Sequence, residues 1–409
     1  MSKKNILIVN EYAGTPEYGM IHRHYYLAKE FIKQGYKVTI VTASYSHLLN
    51  KYPNMEDKKY KYEDIDGIDY LWVNVNKYDS ANDKKRVLKW FNFSFKILFI
   101  SKILKYKPDI VIWSSSSPFS GVVTYYLTKK LKAKFILEIR DIWPLTLIDI
   151  GKISPKHILV RLMSKAEKFI IEKSDIIVSN LQNYNIYLKD KGFNKKSFWI
   201  SNGIDLDEMK KIESLDEKIK ALIPKDKFIV GYTGKIGVSN AMQYIIEVSK
   251  NMQEYKDIIF VLVGSGQEEQ ILKNMSKDLN NVIFIPLIPK SQVQTILKLF
   301  DVCYIGWRKK DIYKYGVSPN KIFDYMYSSK PIVHSTNSTR DIVQLANCGL
   351  VTKAEDIKGI KEAIIKLYNM PKEKRKELGE NGKKYVLEYF TYDKLAQKYI
   401  DIFEKENYI

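Results

Sequence analysis

The sequence predicts an α/β protein built from two doubly wound domains. A chain of 409 residues is too long for one ordinary hydrophobic core and indicates two domains of roughly 200 residues each. An alternation of apolar strands and amphipathic helices opens the chain, and a second alternation of the same kind begins after Pro224. Such alternations are typical of parallel sheets that are covered by helices on both faces.

The first domain begins with a strand–loop–helix–strand unit. Lys4–Asn10 is an apolar run of strand length, Ile21–Gln34 has helical periodicity, and Tyr36–Ala43 is a second apolar strand. Gly35 suits the position after the helix, because glycine adopts the left-handed conformation at low steric cost. Further strands of this domain are predicted at Ile68–Val75, Ile110–Ser114 and Lys134–Ile139.

The second domain repeats the pattern. Phe228–Thr233 is a strand followed by a glycine turn, and Ala241–Asn251 is a helix. Further strands are predicted at Ile258–Gly264, Val282–Pro286 and Val302–Gly306. We place the domains at residues 1–203 and 204–389 and expect an amphipathic helix within residues 390–409 to pack back on the first domain. Ligands bind at the carboxyl ends of such strands, so we expect the site in the cleft between the domains.

Composition excludes several classes of protein. A content of 45% hydrophobic residues with 12 prolines and 19 glycines argues against a disordered or fibrous chain. Cys303 and Cys348 cannot form a disulfide framework, so we expect reduced thiols and a cytoplasmic protein. The sequence shows no signal-peptide pattern and no apolar run of about 18 residues. The net charge of +20 predicts an acidic partner, which could be nucleic acid, an anionic membrane or a phosphorylated substrate.

Lys84–Lys107 combines positive charge with aromatic side chains. It holds eight Lys or Arg residues, six aromatic residues and no acidic residue. A basic, aromatic helix suits the surface of an anionic bilayer, where a lipid-linked acceptor would be presented. The alternative is that Phe91, Phe95 and Leu98 are core positions and the lysines are merely solvated. Both interpretations can hold on different faces of one helix.

Gly316–Met326, with the sequence GVSPNKIFDYM, carries the strongest functional signal. Ser318 and Pro319 suit the N-cap and the first position of a helix. A helix N-terminus favours phosphate through its free N–H groups and its dipole, and Lys321 adds a full charge there. One turn later, the Asp324 carboxylate could accept hydrogen bonds from ribose hydroxyls. The alternative is an ordinary capped helix with a surface ion pair between Lys321 and Asp324.

This segment resembles the donor-binding segment of the family 4 glycosyltransferases, and most closely that of their fucosamine-transferase-like branch. Further segments are similar to the same branch: Asn10–Leu27, Val38–His47, Glu138–Pro144, Ser201–Asp205 and Val263–Gly266. The resemblance covers essentially the whole chain, and EIRDIWP and SPNKIFDYM are its most specific parts. It implies the GT-B fold, in which two Rossmann-like domains face each other across a cleft, and sugar transfer with retention of anomeric configuration.

The resemblance also implies roles for individual residues, with Lys321 and Lys235 stabilising the departing phosphate as catalytic residues. For the third catalytic residue we expect Asp141 to orient the acceptor; the alternative is a loop salt bridge between Arg140 and Asp141. The residues that would bind the donor are Gly19, Gly234, Ile285, Ile288, Gly316, Val317, Ser318, Asn320, Lys321 and Asp324. In that set Asp324 would take the ribose, and the backbone near Ile285 and Ile288 would take a uracil-type base. The residues on the acceptor side would be His22, Arg140 and Trp143.

The chain departs from the family pattern at three places. Gly316 stands where the broader family has a glutamate, and Arg140 with Asp141 falls where a histidine is common. The family often has a second basic residue after the Lys235 loop, where this chain has the neutral residues Ser239, Asn240 and Gln243. No protein nucleophile is required if the acceptor attacks on the face that the nucleotide leaves and its proton passes to the departing phosphate. His22 and His24 flank Arg23 on the first helix, where they could border the acceptor cleft or lie on an exposed face.

We therefore expect a retaining hexosyltransferase that uses a nucleotide diphosphate donor, with UDP favoured, and a saccharide acceptor that is polyprenyl-linked. It would act in bacterial surface polysaccharide or glycan synthesis, as a peripheral protein on the inner face of the cell membrane, without nucleic acid. No cofactor or metal is expected: Asp64–Asp66 fits a metal-binding DxD pattern but precedes Gly67 in a predicted turn, and the five histidines lack zinc-site spacing. The alternatives are a nucleotide-sugar epimerase of similar fold and a non-enzymatic basic nucleic-acid binder.

Overall fold

The structure is a computed structural model that describes residues 4–20, 22–79, 83 and 85–406. The chain divides into two compact units, Met1–Ser201 with Tyr392–Ile409 and Asn202–Thr391. Ile21, the predicted start of the first helix, and Lys84, the predicted start of the basic aromatic segment, lie outside the described residues, as do residues 407–409.

The first unit is built on an eight-stranded sheet. Its strands are β1 (Asn5–Val9), β2 (Lys37–Ala43), β3 (Tyr60–Ile65), β4 (Ile68–Val73), β5 (Ile110–Ser114), β6 (Lys134–Ile139), β7 (Ile176–Ser179) and β8 (Ser197–Trp199). Its helices up to that point are α1 (Arg23–Lys33), α2 (Lys85–Ile97), α3 (Pro118–Leu131), α4 (Leu145–Asp149), α5 (Ile158–Lys173) and α6 (Tyr184–Asp190). The strand order is β3-β4-β2-β1-β5-β6-β7-β8. The connection reverses direction between β1 and β5, which is where doubly wound sheets bind ligands.

The edge of this sheet is a hairpin that the sequence prediction did not contain. β3 runs antiparallel to β4, with Ile65 opposite Ile68. Asp66 and Gly67 form the turn with φ of 54° and 80°, and the Gly67 N–H donates to Asp64 Oδ1 at 3.2 Å. Asp66 therefore lies in a turn as predicted, but Asp64 and Ile65 belong to β3, so the prediction of a turn is wrong for those two residues. β3 was missed because its residues are partly exposed and polar, as an edge strand allows.

The second unit is built on a six-stranded sheet. Its strands are β9 (Phe228–Thr233), β10 (Ile258–Val263), β11 (Val282–Ile285), β12 (Val302–Gly306), β13 (Ile332–Ser335) and β14 (Gly349–Thr352). Its helices are α7 (Leu206–Lys210), α8 (Glu217–Ala221), α9 (Met242–Lys250), α10 (Glu269–Met275), α11 (Lys290–Lys298), α12 (Asn320–Tyr327), α13 (Ile342–Leu345), α14 (Ile357–Tyr368) and α15 (Lys372–Tyr389). The order is β11-β10-β9-β12-β13-β14, with every pair parallel among the described residues. Strands buried on both faces explain the continuous apolar runs of the sequence.

The chain ends in α16 (Tyr392–Lys405), which belongs to the first unit. Its aromatic side chains pack on α1, where Tyr392 stacks on Tyr26 with ring centroids 5.0 Å apart and Tyr399 meets Phe31 edge-on at 5.8 Å. The Tyr399 hydroxyl also donates to Glu138 Oε1 at 2.6 Å. The apolar stripe of α16 is thus buried against the start of the chain.

α2 has one buried and one exposed apolar face. Trp90 and Phe93 are buried, as the 3.6-residue period requires for one face. Phe91 and Phe95, by contrast, are 46% and 62% exposed, and Leu98 beyond the helix end is also exposed. The interpretation of Phe91, Phe95 and Leu98 as core positions is therefore wrong. Within the described part of the chain, no helix is long and apolar enough to span a membrane.

Candidate functional site

A cavity of about 270 Å³ lies at the carboxyl ends of β9 and β10 in the second unit. Its lining residues come from the ends of β9 and β10, the loops after β9, β10 and β11, and the helices α11 and α12: Thr233, Gly234, Val263, Gly264, Leu287, Ile288, Lys290, Val293, Asn320, Lys321 and Asp324. The structure therefore brings together five of the residues predicted to bind the donor: Gly234, Ile288, Asn320, Lys321 and Asp324.

Two glycines allow the loops to meet at this cavity. Gly264 has φ of +140°, and a Cβ there would lie 1.9 Å from the Gly234 carbonyl oxygen. Gly234 has φ of +133°, and its Cβ would lie 3.0 Å from both Cε and Nζ of Lys321. Side chains at these positions would separate the two loops and displace Lys321 from the floor of the cavity.

Lys321 reaches from α12 across the end of β9. Its Nζ hydrogen-bonds to the Tyr232 hydroxyl and to Asn240 Oδ1 at 3.1 Å, and it lies 3.9 Å from the centroid of the Tyr232 ring. Tyr232 in turn donates its hydroxyl hydrogen to the Lys235 carbonyl at 2.6 Å, so its oxygen is left to accept from Lys321. Among the residues that the structure describes, no carboxylate lies within 4 Å of Lys321 Nζ.

Burial lowers the pKa of Lys321 to about 7, although the charge of Asp324 acts in the opposite direction. The ammonium form loses hydration and gains only neutral partners in return. An anion in the cavity would supply the missing counter-charge and favour the protonated form. Lysines with this combination of burial and lowered pKa are typical of sites that bind or process anions.

Asp324 is paired with a residue that the sequence prediction did not include. Its two carboxylate oxygens each lie 2.6 Å from Lys290 Nζ at the start of α11. The alternative of an ordinary Lys321–Asp324 surface pair is therefore wrong: Asp324 is 8% exposed, and its ion pair is with Lys290. The arrangement holds an ionised carboxylate at the wall of the cavity, where hydroxyl groups could donate to it.

The helix start differs from the prediction by one position. α12 begins at Asn320, its N-cap is Pro319, and no side chain caps it. Ser318 does not act as the cap, since its Oγ accepts from the Asn202 N–H at 3.3 Å and its carbonyl accepts from Asn202 Nδ2 at 2.9 Å. The Ile322 N–H donates to the Pro319 carbonyl at 3.2 Å. No described side chain caps the N–H groups of Asn320 and Lys321, which are the ones positioned to meet a ligand.

The remaining residues predicted to bind the donor lie outside this cavity. The Ile285 carbonyl accepts from the Gly264 N–H at 3.0 Å, so Leu287 and Ile288 line the cavity instead. Gly316 and Val317 are buried in the chain before α12, and Gly316 has φ of +112°. The side chain of Lys235 is exposed and does not line the cavity. The roles of these residues stay predictions.

The loop before Gly316 is anchored at its start by three residues. Trp307 follows β12 and donates its Nε1–H to His334 Nε2 at 3.0 Å. His334 Nδ1 lies 2.7 Å from Asp341 Oδ2, and both side chains are fully buried. The contact between His334 and Asp341 is close, but neither His334 Nδ1 nor Asp341 Oδ2 makes a hydrogen bond of regular geometry within the described residues.

A second cavity, of about 160 Å³, lies in the first unit at the carboxyl ends of β1, β5 and β6. Its lining residues are Tyr12, Leu48, Arg86, Trp90, Ser115, Ser116, Arg140, Asp141 and Trp143. Ser115 Oγ accepts from the N–H groups of Arg140 at 2.8 Å and Asp141 at 3.2 Å, which fixes the loop after β6. The structure thus brings together Arg140, Asp141 and Trp143, as one side of a polar and aromatic cavity.

A buried ionic cluster supports this loop from below. Glu138 at the end of β6 accepts from Arg23 Nε at 3.0 Å and from Tyr399, and its other oxygen lies 3.2 Å from His24 Nε2. Burial alone would raise the pKa of Glu138, but the Arg23 charge and the His24 hydrogen bond hold it well below its usual range. The expectation that the first-helix histidines could lie on an exposed face is wrong for His24, which is buried.

Gly19 and His22 do not line either cavity. Gly19 has φ of +87°, and a Cβ there would lie 2.9 Å from the Leu48 carbonyl oxygen. The packing of its own loop therefore requires glycine at this position. His22 is half-buried beside Tyr26, with ring centroids 6.3 Å apart. Their proposed contacts with donor and acceptor stay predictions.

Models of two glycosyltransferase families match the two halves of the chain. The model described as glycosyl transferases group 1 matches residues 214–385, and the model described as Glycosyltransferase Family 4 matches residues 19–208. Sucrose-phosphate synthase from Thermosynechococcus elongatus has the same fold over 98% of this chain and 99% of its own, with a TM-score of 0.73 at 16% identity. The chain is a glycosyltransferase of the GT-B fold.

Two further solved structures share the fold. HepE of Anabaena, solved in complex with UDP, matches 98% of this chain and 100% of its own with a TM-score of 0.68 at 12% identity. A structure described as trehalose-6-phosphate from Escherichia coli, bound with UDP-2-fluoro glucose, matches 97% of this chain and 98% of its own with a TM-score of 0.72 at 10% identity.

Curated relatives of the glycosyltransferase are distant. An uncharacterized glycosyltransferase of Methanocaldococcus jannaschii is 29% identical over 248 residues, which is 58% of this chain and 60% of that relative. WcaI of Escherichia coli, named as a candidate colanic acid biosynthesis glycosyl transferase, is 23% identical over 358 residues, or 81% of this chain and 85% of WcaI. The fucosamine-transferase-like branch is not among the matches described here and stays a prediction.

Proposed function

We propose that this glycosyltransferase moves a hexose or an N-acetylated amino sugar from a UDP-sugar to a saccharide acceptor, with retention of anomeric configuration. The observation that carries the proposal is Lys321, a partly buried lysine with a lowered pKa and no carboxylate partner among the described residues. It lies at the first turn of α12 beside Asp324. Fold neighbours solved with UDP and with UDP-glucose support the choice of nucleotide.

Lys321 would bind the diphosphate and stabilise its charge as the bond to the sugar breaks. The N–H groups of the first turn of α12 would add a second source of positive potential. Both are in place before the reaction, which is what electrostatic stabilisation of a leaving group requires. The Asp324 carboxylate would accept hydrogen bonds from the ribose, and Lys235 in the adjoining loop would add a second charge near the phosphates.

Asp141 would orient the acceptor. In a retaining transfer of this kind, the acceptor oxygen attacks the face from which the nucleotide departs, and its proton passes to the departing phosphate oxygen. No side chain then has to form a covalent bond to the sugar, and the protein contributes positioning and electrostatics. We propose that no metal and no cofactor takes part.

A panel of UDP-sugars tests the donor. Each would be tested for thermal stabilisation of the full-length protein and for hydrolysis with and without a saccharide acceptor. The proposal expects UDP to stabilise the protein and one UDP-sugar to be turned over, with the anomeric configuration retained in the NMR spectrum of the product. A product of inverted configuration contradicts retention, and an epimerised UDP-sugar without transfer contradicts the reaction class.

We also propose that the acceptor is lipid-linked and that the protein binds the inner surface of the cell membrane through α2. The exposed face of α2 carries Leu88, Phe91 and Phe95, and lysines flank it. The exposed apolar surface continues onto α3, where Phe119 stacks on Phe91 with ring centroids 4.7 Å apart. Apolar side chains flanked by lysines fit an anionic bilayer surface. The name of WcaI supports a role in surface polysaccharide synthesis.

Vesicle sedimentation tests the membrane proposal. Wild-type protein should sediment with phosphatidylglycerol vesicles, less so at high salt, and not with phosphatidylcholine vesicles. Phe95→Glu should reduce sedimentation, whereas Ile271→Glu should not, because Ile271 is a similarly exposed apolar residue of the second unit. Equal sedimentation of the two variants would contradict the assignment to α2.

A further inference from the structure

We infer that the cavity of the first unit binds an acceptor that carries an anionic group, a phosphate or a carboxylate, next to its sugar ring. The inference rests on the proposed sugar transfer and names the chemical class of its acceptor. Two guanidinium groups, Arg86 and Arg140, line the cavity together with one carboxylate, Asp141. The rest of the wall is largely aromatic, from Tyr12, Trp90 and Trp143.

Arg140 is the cation that most clearly requires an anion. Its Nε is buried and has no hydrogen-bond partner among the described residues. The neighbouring carboxylate, Glu138, is already occupied by Arg23, His24 and Tyr399. A buried guanidinium N–H without an acceptor is unfavourable, and a ligand anion in the cavity would supply that acceptor.

Asp141 makes no direct ion pair with Arg140. Within the described ranges no oxygen of Asp141 lies within 4 Å of an Arg140 nitrogen, although burial raises the pKa of Asp141 and the nearby Arg140 charge acts against that rise. The cavity thus presents a guanidinium group and a carboxylate that are not paired directly with each other. An acceptor with an anionic group and free hydroxyls could place its anion on Arg140 and donate a hydroxyl hydrogen to Asp141.

The charges beneath the cavity do not change this balance. Glu11 and Lys89 are both fully buried, with Lys89 Nζ 3.4 Å from Glu11 Oε2, so they offset each other. Burial raises the pKa of Glu11 and lowers that of Lys89, which is the direction expected when a pair replaces hydration. The charged side chains that line the cavity itself are then two guanidinium groups and one carboxylate, which is a net positive set.

The aromatic walls suit the ring of a sugar. Trp90 and Trp143 meet edge-on with centroids 5.9 Å apart. Arg86 is held by Tyr12, whose hydroxyl lies 3.2 Å from Arg86 Nε. Pockets that combine apolar aromatic walls with a few placed polar groups orient small polar ligands, because the walls exclude water and the polar groups give direction.

One helix links this cavity to the exposed apolar surface. Arg86 and Trp90, four residues apart on α2, line the cavity, while Phe91 and Phe95 on the same helix are exposed. A phosphate that is attached to a lipid would satisfy both features. A carboxylate on a free sugar would satisfy the cavity alone, so the two sources can be separated by experiment.

The test is ligand-observed NMR on the full-length protein with saturating UDP, so that the donor cavity is blocked. The probes are glucose 1-phosphate, methyl glucuronide and the neutral methyl glucoside. Both anionic sugars should bind at least about tenfold more tightly than the neutral sugar, which is the range expected for a charge-assisted hydrogen bond. A preference for glucose 1-phosphate indicates phosphate as the natural group, and a preference for the glucuronide indicates a carboxylate.

Variants then assign the binding to the cavity. Arg140→Gln should weaken glucose 1-phosphate about tenfold and leave UDP binding unchanged, whereas Arg161→Gln, an exposed arginine of α5, should change neither. Equal binding of charged and neutral sugars to the wild-type protein overturns the inference whether or not Arg140→Gln folds. Loss of UDP binding by the wild-type protein would contradict the proposed function instead, since the two ligands are measured separately.

Discussion

Lys321 should take up a proton when a nucleotide diphosphate binds. Burial holds the pKa of the unliganded side chain at about 7, so at pH 8 only about a tenth of the molecules carry the charge. An anion in hydrogen-bond contact raises the pKa of a lysine by about 1 to 3 units. The bound protein would then hold about 0.4 to 0.9 proton more than the free protein at pH 8.

The sign of the pH dependence follows from this uptake. Because the complex binds more protons than the free protein above pH 7, the affinity for UDP should fall as pH rises from about 7 toward the pKa of the complex. The limiting slope is about tenfold, or 1.4 kcal/mol, for each pH unit. At pH 8 and above the phosphates of UDP are fully ionised and do not contribute to the uptake.

Isothermal titration calorimetry in buffers of different ionisation enthalpy measures the uptake directly. Wild-type protein should show the uptake at pH 8, and Lys321→Met should not. Lys290→Met is the matched control, since Lys290 lines the same cavity and should leave the uptake in place. An uptake near zero in the wild type, or an unchanged uptake in Lys321→Met, would refute the reasoning.

Further predictions concern stability, the ribose, the glycine contact and the acceptor. Lys321→Met should raise the Tm of the unliganded protein near pH 6, and the gain should shrink between pH 7 and 10, because there the native wild-type lysine already loses its proton; a pH-independent difference in Tm would contradict this. Asp324→Asn should weaken UDP at least about tenfold but 2′,3′-dideoxy-UDP much less, as calorimetry would show, because its carboxylate would meet the hydroxyls. In urea unfolding, Gly264→Ala should destabilise the protein by about 1–3 kcal/mol more than Gly35→Ala. Both glycines have positive φ, but a Cβ at Gly264 would clash with the Gly234 carbonyl oxygen, whereas a Cβ at Gly35 would have no heavy atom within 4 Å. Asp141→Asn should lower kcat at least about tenfold with the Kd for UDP unchanged, and a wild-type kcat would remove Asp141 from the mechanism.

Local patterns predicted the fold well where a strand is long and buried. β5, β6, β9 and β12 lie at the predicted residues, because each holds at least three consecutive apolar residues in a short segment between turns, which leaves few alternatives. The shortest strands were missed, β8 with three residues among them. Such segments are strands because a neighbour in the sheet pairs with them, and that neighbour is distant in the sequence.

The parts of the site that could be predicted are local in the sequence, and the parts that could not are contacts between distant residues. Lys321 and Asp324 share a turn of α12, so one motif could identify both. Lys290 is 34 residues from Asp324, and only the tertiary fold brings the pair together. Ser318 was expected to cap α12, but Asn202, which is 116 residues away, engages its hydroxyl.

The acceptor-side cavity shows this most clearly. The resemblance pointed to Arg140 and Trp143 through the segment after β6. Arg86 and Trp90 come from α2, where the sequence indicated a basic, aromatic membrane helix, and nothing in their spacing shows that they face Arg140. α2 has apolar residues at helical spacing on both its exposed face and its buried face. The sequence alone does not show which residues belong to which face, and the structure is needed to assign them.

A crystal structure with UDP tests the central claim most directly. We predict the diphosphate in the cavity of the second unit, with a phosphate oxygen about 3 Å from Lys321 Nζ and the ribose hydroxyls on the Asp324 carboxylate. UDP bound with its phosphates away from Lys321, or with the ribose away from Asp324, would contradict the account of the donor site.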